Sequence, residues 1–121
     1  MRQNIYELGG VHIIEDCYNA SPESMRAAIS LLFEYVESSD KKGRRIAVLG
    51  DMLELGENAE DMHTAIGKYA FEHGVEILLT FGSLAKNIAR GAINAGMNSD
   101  CVISFDDVSD PTKIGNKLRE I

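Results

Sequence analysis

The chain is poor in the features that tie a protein to nucleic acid, membrane or metal. Twelve Lys and Arg stand against nineteen Asp and Glu, a formal charge of −7, and no basic cluster is long enough to offset a phosphate backbone. Nucleic acid is not an expected partner. The densest basic run, Lys41-Lys42-Gly43-Arg44-Arg45, falls between a helical pattern and a strand pattern and reads as a solvated loop. No apolar run approaches the ~20 residues that span a bilayer, and the N-terminus lacks the order of a signal peptide. No membrane span and a cytoplasmic location are therefore expected.

Cys17 and Cys101 are the only cysteines and are far apart, so free thiols in a reducing compartment are expected rather than a disulfide framework. A nucleophilic Cys17 would need a paired base, and nothing nearby in sequence resembles one. No His/Cys/Asp/Glu group has zinc or calcium spacing, and there is no nucleophile elbow. Two Gly-rich signatures are missing as well. Without a phosphate loop ending in Lys-Ser or Lys-Thr, the chain is not expected to work alone on a nucleoside triphosphate. Without Gly-x-Gly-x-x-Gly after its first strand pattern, it is a poor dinucleotide binder.

What is present suits one ordinary domain. The 121 residues, 45% apolar and 26% charged, are enough to bury roughly two-thirds of the unfolded surface. Four short apolar runs rich in β-branched residues, Val11 to Ile14, Ile46 to Leu49, Val75 to Thr80 and Cys101 to Ser104, read as strands buried on both faces. A helical pattern follows each. Ser21 can cap the first helix with Pro22 at its first position, and Met25, Ile29, Leu32 and Val36 form its apolar stripe to about Ser38. Asn58 can cap the second, with Glu60 and Asp61 in its first turn; Met62, Ile66, Tyr69 and Ala70 face inward, and His73-Gly74 end it. Ser83 is a candidate cap for the third, in which Leu84, Ile88, Ala92 and Ala95 align before Gly96. A last helix is expected near Asp110-Pro111, with Ile114 and Leu118 inward.

This alternation predicts an α/β fold: a three-layer, mostly parallel sheet joined by right-handed crossovers, with helices on both faces. Another strand would complete the alternation after Ile121, so a domain lacking its last strand or strands is expected.

In such sheets ligands bind outside the carboxyl ends of the strands, and two polar stretches fall there: Glu15 to Met25 and Val48 to Gly56. Asp16, ending the first strand pattern, could accept hydrogen bonds from a ribose or tie down the following turn. Glu15 points to the other face by pleat alternation and reads as structural. Tyr18 and Asn19 fall in the loop, where a planar ring and an amide could hold a base or a peptide. Gly50 and Gly56 bracket Asp51-Met52-Leu53-Glu54-Leu55, in which Asp51 is the best polar candidate. The apolar members either fold back over the sheet end or meet another domain or a substrate. His63 could transfer a proton or simply pack, and His12 and His73 are weaker candidates. Gly82-Ser83 could present backbone amides to a carboxylate.

These residues resemble the C-terminal domain of the Mur ligases. That family runs from an acidic strand end into Tyr-Asn-Ala-Asn-Pro and then Ser-Met, matched by Asp16, Tyr18 to Ala20, Pro22, Ser24 and Met25. Its second pattern, Leu-Gly-Asp-Met, then Glu-Leu-Gly and a later His, is matched by Leu49 to Met52, Glu54 to Gly56 and His63. Arg2 resembles the family's Arg near the start of this domain. Ser21 replaces an Asn, and the family's later Lys-Gly-Ser-Arg segment has no counterpart before Ile121.

The resemblance is nearest to the branch that adds D-alanyl-D-alanine to UDP-N-acetylmuramoyl-tripeptide for peptidoglycan. It implies one C-terminal domain over residues 1–121, working with an N-terminal domain and a central domain of the same protein. The central domain would hold most of the ATP and Mg2+. The implied chemistry is activation of the tripeptide carboxylate as an acyl phosphate, followed by attack of the dipeptide amine. Arg2, Asp16 and Asn19 would face the nucleotide; Tyr18, Asp51, His63 and Ser83 would lie toward the dipeptide or a domain interface. No catalytic residue and no metal ligand is expected in this chain, which alone would be inactive. The rival reading is a stand-alone receiver-like regulatory domain or nucleotide-binding module, suggested by the Glu15-Asp16 pair and Asp51 at strand exits.

Overall fold

A computed structural model of the chain describes residues 4–8, 11–16, 21–37, 44–52 and 55–105, with side chains for 21–34, 45–52 and 55–105. Five strands form one sheet in sequence order: β1 (Asn4–Leu8), β2 (Val11–Asp16), β3 (Arg44–Gly50), β4 (Ile77–Phe81) and β5 (Val102–Phe105). Helices α1 (Pro22–Glu37), α2 (Ala59–Glu72) and α3 (Lys86–Ala95) link β2 to β3, β3 to β4 and β4 to β5. The last four strands run parallel and β1 pairs antiparallel with β2. The expected α/β architecture is thus observed, with β1 added at its edge. Leu8 pairs with Val11, so only Gly9-Gly10 separates the two strands.

Right-handed crossovers between successive neighbouring strands place α1, α2 and α3 on the same side of the sheet, so among the described residues only one face carries the helices expected on both. The core divides accordingly. Ala47, Leu49 and Leu78 face α1, α2 and α3 through Met25, Ile29, Leu32, Ile66, Ala70, Ile88 and Ala92. By pleat alternation Ile46, Val48, Ile77, Leu79 and Phe81 make the opposite face, with Ile103 and Phe105 packed against them. The helix expected from Asp110, with Ile114 and Leu118, lies outside the described residues, as does Cys17. Cys101 is a free thiol.

Helix α1 begins as its sequence predicts: Ser21 Oγ accepts the Ser24 N–H at 3.2 Å, with Pro22 at the first helical position. Met25, Ile29 and Leu32 are buried, and α2 turns Ile66 and Ala70 inward with Met62 and Tyr69 at the margin. His73 and Gly74 close α2, Gly74 at φ +83. Two expected caps are corrected. Asn58 stands at the N-cap position of α2 but makes no side-chain cap bond, because a 3-10 turn over Gly56–Asn58 already leads into the helix. Ser83 does not cap α3, which starts two residues later with Ala85 at its N-cap.

Helices α2 and α3 touch backbone to backbone. A Cβ on Gly67 would overlap the Ile88 carbonyl oxygen, and one on Gly91 would overlap the Thr64 carbonyl oxygen. This reciprocal fit fixes where α3, and with it the turn ahead of it, sits over the sheet.

Candidate functional site at the carboxyl edge of the sheet

Register lines up one row across the parallel strands: Asp16 opposite Leu49, Leu49 opposite Thr80, and Thr80 opposite Ser104. Thr80 and Ser104 share a hydroxyl hydrogen bond of 2.9 Å. Immediately beyond this row the chain leaves β2, β3 and β4, so Asp16, Asp51 and Ser83 belong to three consecutive strand exits on one edge. That is where an open parallel sheet offers its ligand crevice. Arg2, Tyr18 and Asn19 lie outside the described residues, and Asp16 is placed through its backbone alone.

The β3 and β4 exits are joined by Asp51. Its Oδ1 accepts the Ala85 N–H at 2.7 Å, supplying the orphan donor at the start of α3 with the acceptor that Ser83 does not provide. The carboxylate lies across Gly82, whose φ is +115 and whose absent Cβ would overlap it. Gly82 N–H is also taken, by the Phe105 carbonyl at 3.1 Å. Two of the amides at this turn are therefore engaged within the fold, one by a carboxylate of the chain itself. Such a turn is a weaker receptor for an incoming carboxylate than a vacant helix N-terminus. Ser83 itself is exposed at the rim.

His63 is fully buried in the first turns of α2. Its Nδ1 lies 2.6 Å from the Ala59 carbonyl, and its Nε2 accepts the Met52 N–H at 2.9 Å. These partners define a neutral imidazole with its proton on Nδ1. Both ring nitrogens are occupied inside the fold, the packing alternative of the sequence reading. Met52 is completely buried and Leu55 packs at the margin of the same core, so these two apolar members of the Asp51 loop fold back over the sheet end. Leu53 and Glu54 lie outside the described residues. Among the described residues no group of three His, Cys, Asp or Glu could hold a metal ion.

Sequence reasoning picked out Asp51, His63 and Gly82-Ser83 separately and missed the Ala85 amide, and with it the close approach of the Asp51 carboxylate to Gly82. A readable signal existed: a glycine directly after a strand marks a position that demands positive φ or close approach.

Over residues 1–116 the chain matches the family described as Mur ligase, glutamate ligase domain. It is 44% identical over 84 residues to UDP-N-acetylmuramoyl-tripeptide--D-alanyl-D-alanine ligase of Bacillus subtilis, covering 69% of this chain and 18% of that protein. It is 37% identical over 120 residues to the Mycobacterium leprae protein of the same name, covering 91% of this chain and 23% of the relative. A crystal structure of MurF from Acinetobacter baumannii shares the fold, with a TM-score of 0.69 and 24% identity over 97% of this chain and 24% of that one. The chain thus spans about a fifth of the length of these relatives. The strand-exit motifs and the family match agree: this chain belongs to the Mur ligases, within their glutamate ligase domain.

Proposed function

We propose that the chain is the C-terminal domain of an ATP-dependent ligase that joins D-alanyl-D-alanine to UDP-N-acetylmuramoyl-tripeptide in peptidoglycan precursor synthesis. The observation that carries this reading is the sequence likeness to ligases of that name, at 44% identity over 84 residues and 37% over 120. A central domain of the same protein holds the ATP phosphates and Mg2+, and this domain closes over them. Closure has a physical rationale. An acyl phosphate survives only where water is kept out, and the same exclusion strengthens the electrostatic interactions on the transferring phosphoryl group.

Within this reading Arg2, Asp16 and Asn19 serve the nucleotide, and Tyr18 and Ser83 line the side toward the dipeptide or the domain interface, with Asp51 holding the Ala85 amide and His63 the Met52 amide on that same side. The described residues contain no helix long and apolar enough to cross a membrane. A cytoplasmic location is part of the proposal.

The test is phosphate release by the full-length protein given ATP, Mg2+ and the UDP-linked tripeptide, with and without D-alanyl-D-alanine. Release should depend on the dipeptide and be matched by the UDP-linked pentapeptide in mass spectra. Release without that product, or none, overturns the reading. Asp16→Ala tests the nucleotide side. Losing a charge-assisted hydrogen bond should raise KM for ATP by about tenfold while leaving circular dichroism unchanged. An unaltered KM removes Asp16 from the nucleotide site.

A further inference from the structure

Two hydrogen bonds, one buried and one part-buried, meet at adjacent residues of the β3 exit. His63 ties the Met52 amide to the start of α2, and Asp51, one residue before, ties the start of α3 to the same loop. We infer that His63 and Asp51 are positioning residues: a two-link brace that sets the Gly82-Ser83-Leu84 turn for the incoming dipeptide, without either side chain serving as an acid, a base or a dipeptide ligand. The inference rests on the proposed ligase reading for the word dipeptide, and on the geometry alone for the brace.

The chain of contacts is continuous. The Ala59 carbonyl accepts from His63 Nδ1–H, His63 Nε2 accepts from Met52 N–H, and Asp51 Oδ1 accepts from Ala85 N–H. Each link ends on backbone, so the brace joins main chain to main chain across α2, the β3 exit and α3. A buried ring with both nitrogens so engaged has neither a path to substrate nor a site for its proton to go. On the strand-exit side of the far end lies Ser83, exposed and two positions before the capped Ala85. Moving the anchor of this turn by even an ångström would misplace Ser83, and misplacement on that scale is costly for a bound reactant. On the proposed reading two of the nucleotide-facing residues belong with β2, Asp16 ending it and Asn19 following it in sequence, and neither link touches that strand.

The experiment compares His63→Leu and His63→Gln in the full-length protein. Leu fills the space and leaves the Met52 amide without an acceptor; Gln can return an oxygen near the Nε2 position yet cannot shuttle a proton near neutral pH. The brace predicts that His63→Leu raises KM for D-alanyl-D-alanine by about tenfold with KM for ATP nearly constant, and that Gln recovers most of the loss. A residue needed only for global stability would lower the active fraction, and hence apparent kcat, without changing either KM. Loss of kcat alone, or equal damage by Gln and Leu, overturns the inference.

Hydrogen exchange read by mass spectrometry tests the brace even if the protein proves not to be this ligase. Peptides containing Met52 should exchange about tenfold faster in His63→Leu, and those containing Ala85 about tenfold faster in Asp51→Ala, with His63→Gln near wild type. Absent ligase activity with these exchange changes would reject the functional reading and keep the brace. Wild-type exchange rates in both variants would reject the brace itself.

Discussion

Alanine at Gly67 or Gly91 is expected to destabilise the fold by about 3 kcal/mol or more, among the largest effects available to a single methyl group. Alanine is the better helix former by about 1 kcal/mol, so propensity alone predicts the opposite sign. Packing wins because the obstacle is backbone. The new Cβ at Gly67 meets the Ile88 carbonyl and that at Gly91 meets the Thr64 carbonyl, and neither can rotate away as a side chain would. Relief requires α2 and α3 to separate, which would open the shared core around Ile66, Ala70, Ile88 and Ala92. Urea unfolding should show a lowered midpoint at similar slope, and the melting temperature should fall on the order of 10 °C. Gly56→Ala is the internal control. It sits at φ +68 with nothing within 4 Å of the methyl that alanine would add, so it should cost only the left-handed backbone, about 1 kcal/mol. Equal losses at all three glycines would mean that helix contact is not what Gly67 and Gly91 provide.

The same glycines show what was legible in the sequence and what was not. The strands from Val11 onward and the helices were readable because their apolar periods are strong and Ser21, Pro22, Gly74 and Gly96 punctuate them. Strand β1 was not among the expectations. Asn4–Leu8 is short and mixed in polarity, and its assignment depends on pairing with β2. The Gly9-Gly10 pair between two such runs was the usable hairpin signal. Nothing in the sequence singles out Gly67 or Gly91, since their purpose exists only where two helices cross. The start of α3 failed for a related reason: Ser83 has the right chemistry for a cap, but the acceptor arrives from Asp51, thirty-four residues earlier in the chain. Of the candidate site, the strand-exit positions were visible in sequence, whereas the orientation of His63 into the core was not. A histidine near a helix start looks alike whether it faces solvent or the interior, until the neighbouring loop is placed.

Gly82→Ala should be nearly as damaging, at about 3 kcal/mol, and its partner can be named in advance. Two costs add there. The backbone at φ +115 is one that side chains rarely adopt, worth about 1–2 kcal/mol of strain. The methyl would also occupy the place of the Asp51 carboxylate, which can move aside only by giving up the Ala85 amide. The second cost belongs to the pair, so a double-mutant cycle isolates it. Asp51→Ala alone removes a cap and should cost about 1 kcal/mol. With the carboxylate already gone, adding Gly82→Ala should cost only the backbone strain, and the double variant should be more stable than the sum of the single losses by about 1 kcal/mol or more. Strict additivity in urea unfolding would show that Gly82 is required for its backbone conformation alone. A positive coupling would show instead that the residue after β4 is glycine in part because a carboxylate from β3 must reach over it to hold α3.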